Sequence, residues 1–304
     1  MSPASATAAG PNMRSMGSIL VTGASGFLGS HLVQSLLADG QEVHALARRE
    51  ARLPPGVRRI DGDLADPAFP IHLPPRIDTV VHLAQSRHFR HFPDQAQDIF
   101  AVNVQATALL ADYARRAGAQ QLVFASSGGV YSPSEDRLVE TAPISPLNYY
   151  LSSKYAAEIL LTAYRPHFRC VILRPFFLYG PGQQGMLVGG LLARIRAREP
   201  ITIDGDPGMR TNPLFVDDAV LALRAALRLE RSAVINLCGD EAVTVTELAN
   251  ILGELSGVAP LVTHDHTRPS RDLLGNNTGM KELLGLGRTT TLREGLRRTV
   301  GAGP

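Results

Sequence analysis

Two short stretches of this chain carry side chains whose types and spacing suit acid–base work on an alcohol or a carbonyl. Tyr150-Leu-Ser-Ser-Lys154 sets a phenol and an ammonium four residues apart. On a helix that is one face, so the ammonium can stand near the phenol and favour its phenolate. Phe124-Ala-Ser-Ser-Gly-Gly-Val-Tyr131 reads as the end of a strand, where Ser127 can hydrogen-bond the same substrate oxygen. Beside a bound nicotinamide, this set would support hydride transfer coupled to proton transfer, with Tyr150 as donor or acceptor.

A nicotinamide site is itself expected near the start of the chain. In Ile19-Leu-Val-Thr-Gly-Ala-Ser-Gly-Phe-Leu-Gly29, three glycines at a three-residue spacing fall between the first strand and the first helix. Gly23 can make the tight turn, Gly26 lets the backbone approach a pyrophosphate, and Gly29 lets the helix pack closely. The helix N-terminus then faces the phosphates. An NAD-type site also calls for an acid at the end of the second strand, to meet the ribose. The chain has Ala47 there, followed by Arg48 and Arg49. A guanidinium fork matches a 2′-phosphate, so NADP(H) is favoured over NAD(H); the plainer reading is two solvated loop charges.

These positions need a scaffold, and the surrounding pattern supplies one. Strand-like runs at 19–21, 43–47, 57–60, 79–83, 122–125 and 170–173 alternate with helical periodicity at 27–38, 95–117 and 150–164. Such alternation needs crossovers, so the expected fold is α/β, a doubly wound parallel Rossmann sheet covered on both faces, over residues 18–174. Glycine- and proline-rich stretches at 179–190 and 205–213 mark a change of character. Residues 175–304 are expected to form mainly a smaller substrate-binding lobe, with a strand at 234–237 returning to the main sheet. Thr244-x-x-Glu247 and Thr291-x-x-Glu294 fit capping boxes at helix starts.

Composition narrows the class. The chain has 304 residues, 44% of them hydrophobic, which fits about two folding units. Lys and Arg number 30 against 28 Asp and Glu, a net charge of +2, which argues against a nucleic-acid partner. Cys170 and Cys238 are the only cysteines; they lie in no metal-ligand spacing and point to a reducing, cytoplasmic setting without a bound metal. No apolar run approaches the roughly 18 residues of a membrane span. Residues 1–17 lack a secretory apolar core and read as a disordered tail, with a mitochondrial-type leader or a later start at Met13 or Met16 as alternatives.

Taken in order, the motifs resemble those of extended short-chain dehydrogenases/reductases of the NAD-dependent epimerase/dehydratase group, whose members mostly modify nucleotide-linked sugars. The resemblance runs from Ser18 nearly to the C-terminus. It rests on Thr22–Gly29, Gly62-Asp-Leu64, His82-Leu-Ala84, Asn103-Val-Gln-Ala-Thr107, Ser126–Tyr131, Tyr150-x-x-x-Lys154, Arg174-Pro175 with Tyr179-Gly-Pro181, and Val216-Asp-Asp218. It implies a catalytic set of Ser127, Tyr150 and Lys154 supported by Asn103. Together with the glycine turn and Arg48 read above, it places the cofactor against Gly23, Ser25, Gly26, Phe27, Leu28, Arg48, Asp63, Leu64, Leu83, Ala84, Tyr150 and Lys154, with Pro175 and Phe177 toward the nicotinamide. It also suggests a homodimer built on helices 95–117 and 150–164, although Ile99, Val102, Leu109 and Leu110 equally suit packing within one chain. Taken singly, Asp63 also reads as a turn residue, Asn103 as a satisfied helix polar group and Tyr150 as a partly buried aromatic.

The chain departs from the pattern in places. Sugar dehydratases of the family follow the catalytic Ser or Thr with an acidic pair, and here Gly128 and Gly129 stand instead, which disfavours dehydration. Many epimerases place an asparagine where this chain has Phe177. Arg210 and Arg268 are candidates to clamp a phosphate, or else surface charges. His88, in the loop Arg87-His-Phe-Arg-His-Phe92, is a candidate to meet substrate, while His264-x-His266 reads as structural or solvated. The resulting expectation is an NAD(P)-dependent epimerase or 4-ketoreductase acting on a nucleotide-activated sugar. A reductase of a non-nucleotide ketone and a non-catalytic dinucleotide sensor are the alternatives.

Overall fold

The computed structural model describes residues 17–302, so the expected tail, Gly17 apart, lies outside the described residues. The chain runs β1 (Ser18–Thr22), α1 (Phe27–Ala38), β2 (Glu42–Ala47), β3 (Arg58–Asp61), β4 (Thr79–His82), α2 (Ala96–Phe100), α3 (Ala106–Arg116), β5 (Gln121–Ala125), α4 (Tyr149–Thr162) and β6 (Arg169–Pro175). It continues through β7 (Leu178–Tyr179), α5 (Leu187–Ala197), β8 (Pro200–Asp204), β9 (Arg210–Thr211), β10 (Leu214–Phe215), α6 (Val216–Ala226) and β11 (Ala233–Leu237). Last come β12 (Val243–Thr244), α7 (Val245–Ser256), β13 (Leu261–Asp265), α8 (Thr278–Leu284) and α9 (Leu292–Gly301).

Seven strands form one sheet in the order β11-β6-β5-β4-β1-β2-β3, all parallel. This is the doubly wound Rossmann arrangement, and its strands are apolar on both sides because both faces are covered. In β1, Ile19 and Val21 enter the core that holds Leu32, Val33 and Leu36 of α1 and Ala219 and Leu223 of α6. Leu20 points the other way, into the core that holds Leu110 and Ala114 of α3 and Ala157 and Leu161 of α4. That is the two-residue strand period at work. The chain winds away from β1 in both directions, so β1 and β4 lie side by side with their connections on opposite sides, and the crevice between their carboxyl ends is where open α/β sheets take ligands.

Helices α2 and α3 are joined by a single wide π-helical turn, Ala101–Gln105, where the sequence predicts one unbroken helix. Such turns commonly accompany functional sites, and this one carries Asn103. Helix α4 begins one residue earlier than its periodicity predicts, because the Asn148 side chain accepts the Leu151 N–H and caps it. Beyond Pro175, β11 pairs with β6 in the main sheet, and α8 lays Met280 and Leu284 on the main core. A separate core gathers Leu191, Leu192 and Ile195 of α5, Leu248 and Leu252 of α7, and Leu296 of α9. Thr244 and Glu247 form a full capping box on α7, and Thr291 caps α9.

Candidate active site

The floor of the principal cleft is backbone. Gly23 leaves β1 at φ +74°, and a Cβ there would stand 2.7 Å from Ala84 N. A Cβ on Gly29 would stand 2.1 Å from Gly23 O, so the turn and the first turn of α1 close on one another only as glycines. Gly26 is different: a Cβ there would meet only Gly23 O, at 3.1 Å, leaving its other side open toward the cleft. Gly26 is the N-cap of α1, and no side chain caps the helix. Backbone N–H groups at such an end, with the helix dipole behind them, suit an anion.

The cleft holds about 780 Å³ and is walled by the carboxyl ends of four adjacent strands. Gly23 follows β1, Leu46 to Arg48 close β2, Gly62 to Leu64 follow β3, and Leu83 to His88 follow β4. Of the sequence-predicted cofactor residues, Gly23, Ser25, Gly26, Phe27, Leu28, Arg48, Asp63, Leu64, Leu83 and Ala84 all line it. Arg48 presents its Nε 3.2 Å from Glu50. Its backbone is held from the next strand: Arg59 donates to the carbonyl oxygens of Arg48, Arg49 and Ala51 at 2.5, 2.6 and 2.8 Å. Asp63 accepts the Ala65 N–H at 3.0 Å in a tight turn. An extended dinucleotide fits this donor set, with an anion site at the uncapped helix and a cationic side chain at the β2 end.

Of the expected acid–base group, Ser127, Tyr150 and Lys154 lie outside the cleft lining, and Tyr150 alone reaches a lining residue. The Tyr150 hydroxyl donates to Gln85 Oε1 at 2.8 Å, and Gln85 lines the cleft. Lys154 does not meet the phenol. Its Nζ donates to Ala125 O at 2.7 Å and sits 4.8 Å from the centre of the Phe124 ring. Burial pushes Lys154 down to about 7, against the opposing pull of Glu158, and burial raises Tyr150 above the ordinary phenol range. Ser127 Oγ accepts the Gly129 N–H at 3.1 Å. Asn103 ties the loop after β4 to α4: its Oδ1 accepts Ser86 N–H at 2.8 Å, and its Nδ2 donates to Ser153 Oγ at 2.9 Å.

Two buried networks hold these parts. Thr107 donates its only hydroxyl proton to Asn103 O, at 2.7 Å, so its oxygen must accept from His82 Nε2, 3.0 Å away. His82 Nδ1 then accepts from the Thr22 hydroxyl, at 2.6 Å. The imidazole is neutral and satisfied, and burial, aided by Lys154, pushes it down to about 3. On the other side, Glu158 receives Arg174 Nε at 3.0 Å and Nη2 at 2.6 Å, together with the Ser126 hydroxyl. This ion pair clamps α4 to the ends of β5 and β6, immediately before Ser127 and Pro175.

The remaining candidates are dispersed. Pro175 ends β6, and half-buried Phe177 packs with Tyr131, Leu138 and Phe176 in a small apolar cluster. A Cβ on Gly128 would stand 2.5 Å from the Phe176 ring, so the position where dehydratases carry an acid has no room for a side chain. His88 lines the principal cleft and is exposed. Arg210 lies in a second cleft of about 550 Å³, with Ser134, Glu135, Arg271 and Asp272, and is bound to Asp272 at 2.6 Å. Arg268 lines neither cleft; it faces Asp265 at 3.3 Å and Asp204 at 3.7 Å on the β8–β13 edge.

Several residues at the site carry no motif of their own. Gln85 and Ser86 directly follow the His82-Leu-Ala84 signature, and extending that strand end by two residues is the only signal that could have found them. Phe89 packs against the Tyr150 ring at 5.1 Å between centres, and Phe92 stacks on Tyr149 at 4.7 Å. Arg90 donates to Gly185 O at 3.2 Å, so the loop after β4 is strapped to the segment that brings Gly182 and Gln184 to the cleft.

Comparison with known proteins gives the family and supports the fold. The model of the NAD dependent epimerase/dehydratase family matches residues 19–238. A dTDP-4-dehydro-6-deoxy-D-allose reductase from a Streptomyces species is 33% identical over 83% of this chain and 85% of its own length. The UDP-glucose 4-epimerase of Mycolicibacterium smegmatis is 31% identical over 92% of this chain and 96% of its own. Among solved structures, MoeE5 in complex with UDP-glucose and NAD superposes with a TM-score of 0.84 at 34% identity, covering 94% of this chain and 98% of that one.

Proposed function

This chain belongs to the NAD-dependent epimerase/dehydratase family and is an enzyme of the extended short-chain dehydrogenase/reductase type, and on that premise we propose that it interconverts a hydroxyl and a keto carbon of a nucleotide-activated sugar, with Tyr150 as the acid–base. The observation that carries this reading is the reach of the Tyr150 hydroxyl to Gln85, a residue of the dinucleotide cleft wall. It supports the reading in which the phenol stands where a substrate carbon would meet the cofactor.

When bound, the dinucleotide would exchange a hydride with the substrate carbon. The chain's own residues would do the rest. Tyr150 would give its proton to the substrate oxygen or take it back, and the free hydroxyl proton of Ser127 would be donated to the same oxygen. Lys154, fixed on Ala125 O, would supply the positive field that favours the phenolate as charge develops. Asn103 would keep the start of α4 in register with the loop after β4. Arg210 would meet the diphosphate of the substrate, in exchange for Asp272. With the Gly128 position closed by Phe176, the reading is epimerisation or ketone reduction rather than dehydration.

Arg48 supports NADP(H) and, with it, an exchangeable cofactor and a reductase. The second reading is an epimerase that retains NAD, supported by the NAD bound to MoeE5. Mass spectrometry of the purified protein distinguishes them: retained NAD favours the epimerase, and an empty site that prefers NADPH to NADH favours the reductase. Tyr150→Phe tests the shared premise. It is expected to lower turnover of UDP-glucose or of a dTDP-4-keto-6-deoxyhexose by about 100-fold or more while retaining the dinucleotide; unchanged turnover would sink the assignment.

The proposed homodimer would use α2 and α4, which pack on each other. Ile99, Val102 and Leu110 are buried within the chain. The apolar face left over comprises Phe100, Ile159 and Leu160, at 46%, 56% and 38% exposure, and these would form the contact.

A further inference from the structure

Among the described residues the Tyr150 phenol has one hydrogen-bond partner, Gln85. The carboxamide oxygen takes the hydroxyl at 2.8 Å, while the Nε2 of the same amide has no partner among the described residues. Gln85 sits directly after the β4 signature, in the cleft wall, and its reach to α4 spans 65 residues of sequence. The charged groups on the elements around the phenol are turned elsewhere. Lys154, on the same helix, is spent on Ala125 O. Asp98 of α2 takes the Ser86 hydroxyl. From the loop after β4, Arg90 reaches Gly185, Arg87 and His88 are exposed, and the Phe89 ring packs on Tyr150 beside the Gln85 contact.

We propose that Gln85 is the positioning residue for the Tyr150 acid–base, accepting the phenol proton at rest and, with its amide turned over, donating to the phenol oxygen while the proton passes to the substrate. The inference rests on the reading of Tyr150 given above. A carboxamide offers an acceptor and two donors at the same reach, so the turn exchanges one hydrogen bond for another: Oε1 gives up the phenol O–H, and Nε2, which has no partner among the described residues, takes up the phenol oxygen. In the turned state the phenol's O–H is released toward the substrate oxygen. As that proton leaves, Nε2–H stabilises the phenolate left behind. In the resting state the acceptor favours the neutral phenol, in accord with the upward displacement that burial already imposes.

The test needs no substrate. A phenolate beside the cationic nicotinamide of oxidised NAD raises its affinity, so titration calorimetry with NAD across pH reads the ionisation of Tyr150. For the wild-type protein, affinity should rise with pH. In Gln85→Leu, which removes the donor at similar volume, the rise should move upward by about one pH unit or more. In Gln85→Glu, an acceptor that repels the phenolate, it should move further, with thermal unfolding reporting that both variants fold. A rise unmoved in both folded variants, yet abolished by Tyr150→Phe, would overturn the role of Gln85 and leave that of Tyr150 intact. An affinity flat in the wild type, or a rise surviving Tyr150→Phe, would overturn the reading of Tyr150 and this inference with it.

Discussion

The two clefts described above are made of different material. The principal one is walled by strand ends and floored by a glycine turn, so its shape is set by backbone that cannot be replaced without collision. The second, around Arg210, is lined by loop side chains in which a guanidinium and a carboxylate already satisfy each other. A backbone-built cleft is rigid and tolerates no added atom where its turns close on one another, at Gly23 and Gly29. A side-chain-built cleft can exchange one internal partner for a ligand group, and a change there should alter recognition more than stability.

The sharpest way to break that contrast is to add a side chain to the floor. In Gly29→Val a Cβ would stand 2.1 Å from Gly23 O. The variant is expected to lose stability by about 1–3 kcal/mol or more in urea unfolding, and to bind dinucleotide at least about tenfold more weakly. Wild-type dinucleotide affinity in this variant would refute the rigid floor.

The next effect concerns the buried support of the same cleft. His82 is held down to about 3 in the fold against an ordinary value near 6.5. Between those values the unfolded chain binds the extra proton, so stability should fall as pH drops from about 6.5 toward 3 and be independent of this group above it. Chemical unfolding across that window should show a loss on the order of a few kcal/mol, and His82→Gln should flatten the acid limb.

In the second cleft the expected change is in recognition. Arg210→Ala should raise KM for a nucleotide sugar about tenfold with little change in dinucleotide affinity or melting temperature. A fall in melting temperature as large as that of Gly29→Val would erase the distinction between the clefts. The smallest effect is predicted for Arg268→Ala, which should leave KM and stability unchanged, since its side chain is exposed and lies outside both clefts.

Much of the fold was legible because its causes are local. The two-residue alternation of β1 and the three-residue spacing of the glycines are steric statements, and steric statements can be read along a chain. Even so, the single long helix expected over 95–117 is interrupted by the π turn that carries Asn103, and α4 starts one residue early on the Asn148 cap, a residue type that signals a helix start.

The site divides in the same way. Position four after Tyr150 put Lys154 on the right helix face, but periodicity says nothing of where an ammonium points. Across the sheet, Ala125 O offered it a buried acceptor, and the phenol found Gln85 instead. Arg210 and Arg268 looked alike as isolated cations. Only the packing of the β9 and β8–β13 segments put one in a cleft beside Asp272 and the other on an outer edge. The sequence by itself determined the sheet, the glycine floor and the residue types of the proposed acid–base group, because these follow from sterics and periods of two to four residues. The tertiary structure decided which polar groups meet, because a buried donor must find an acceptor, and here the partners lie tens of residues away.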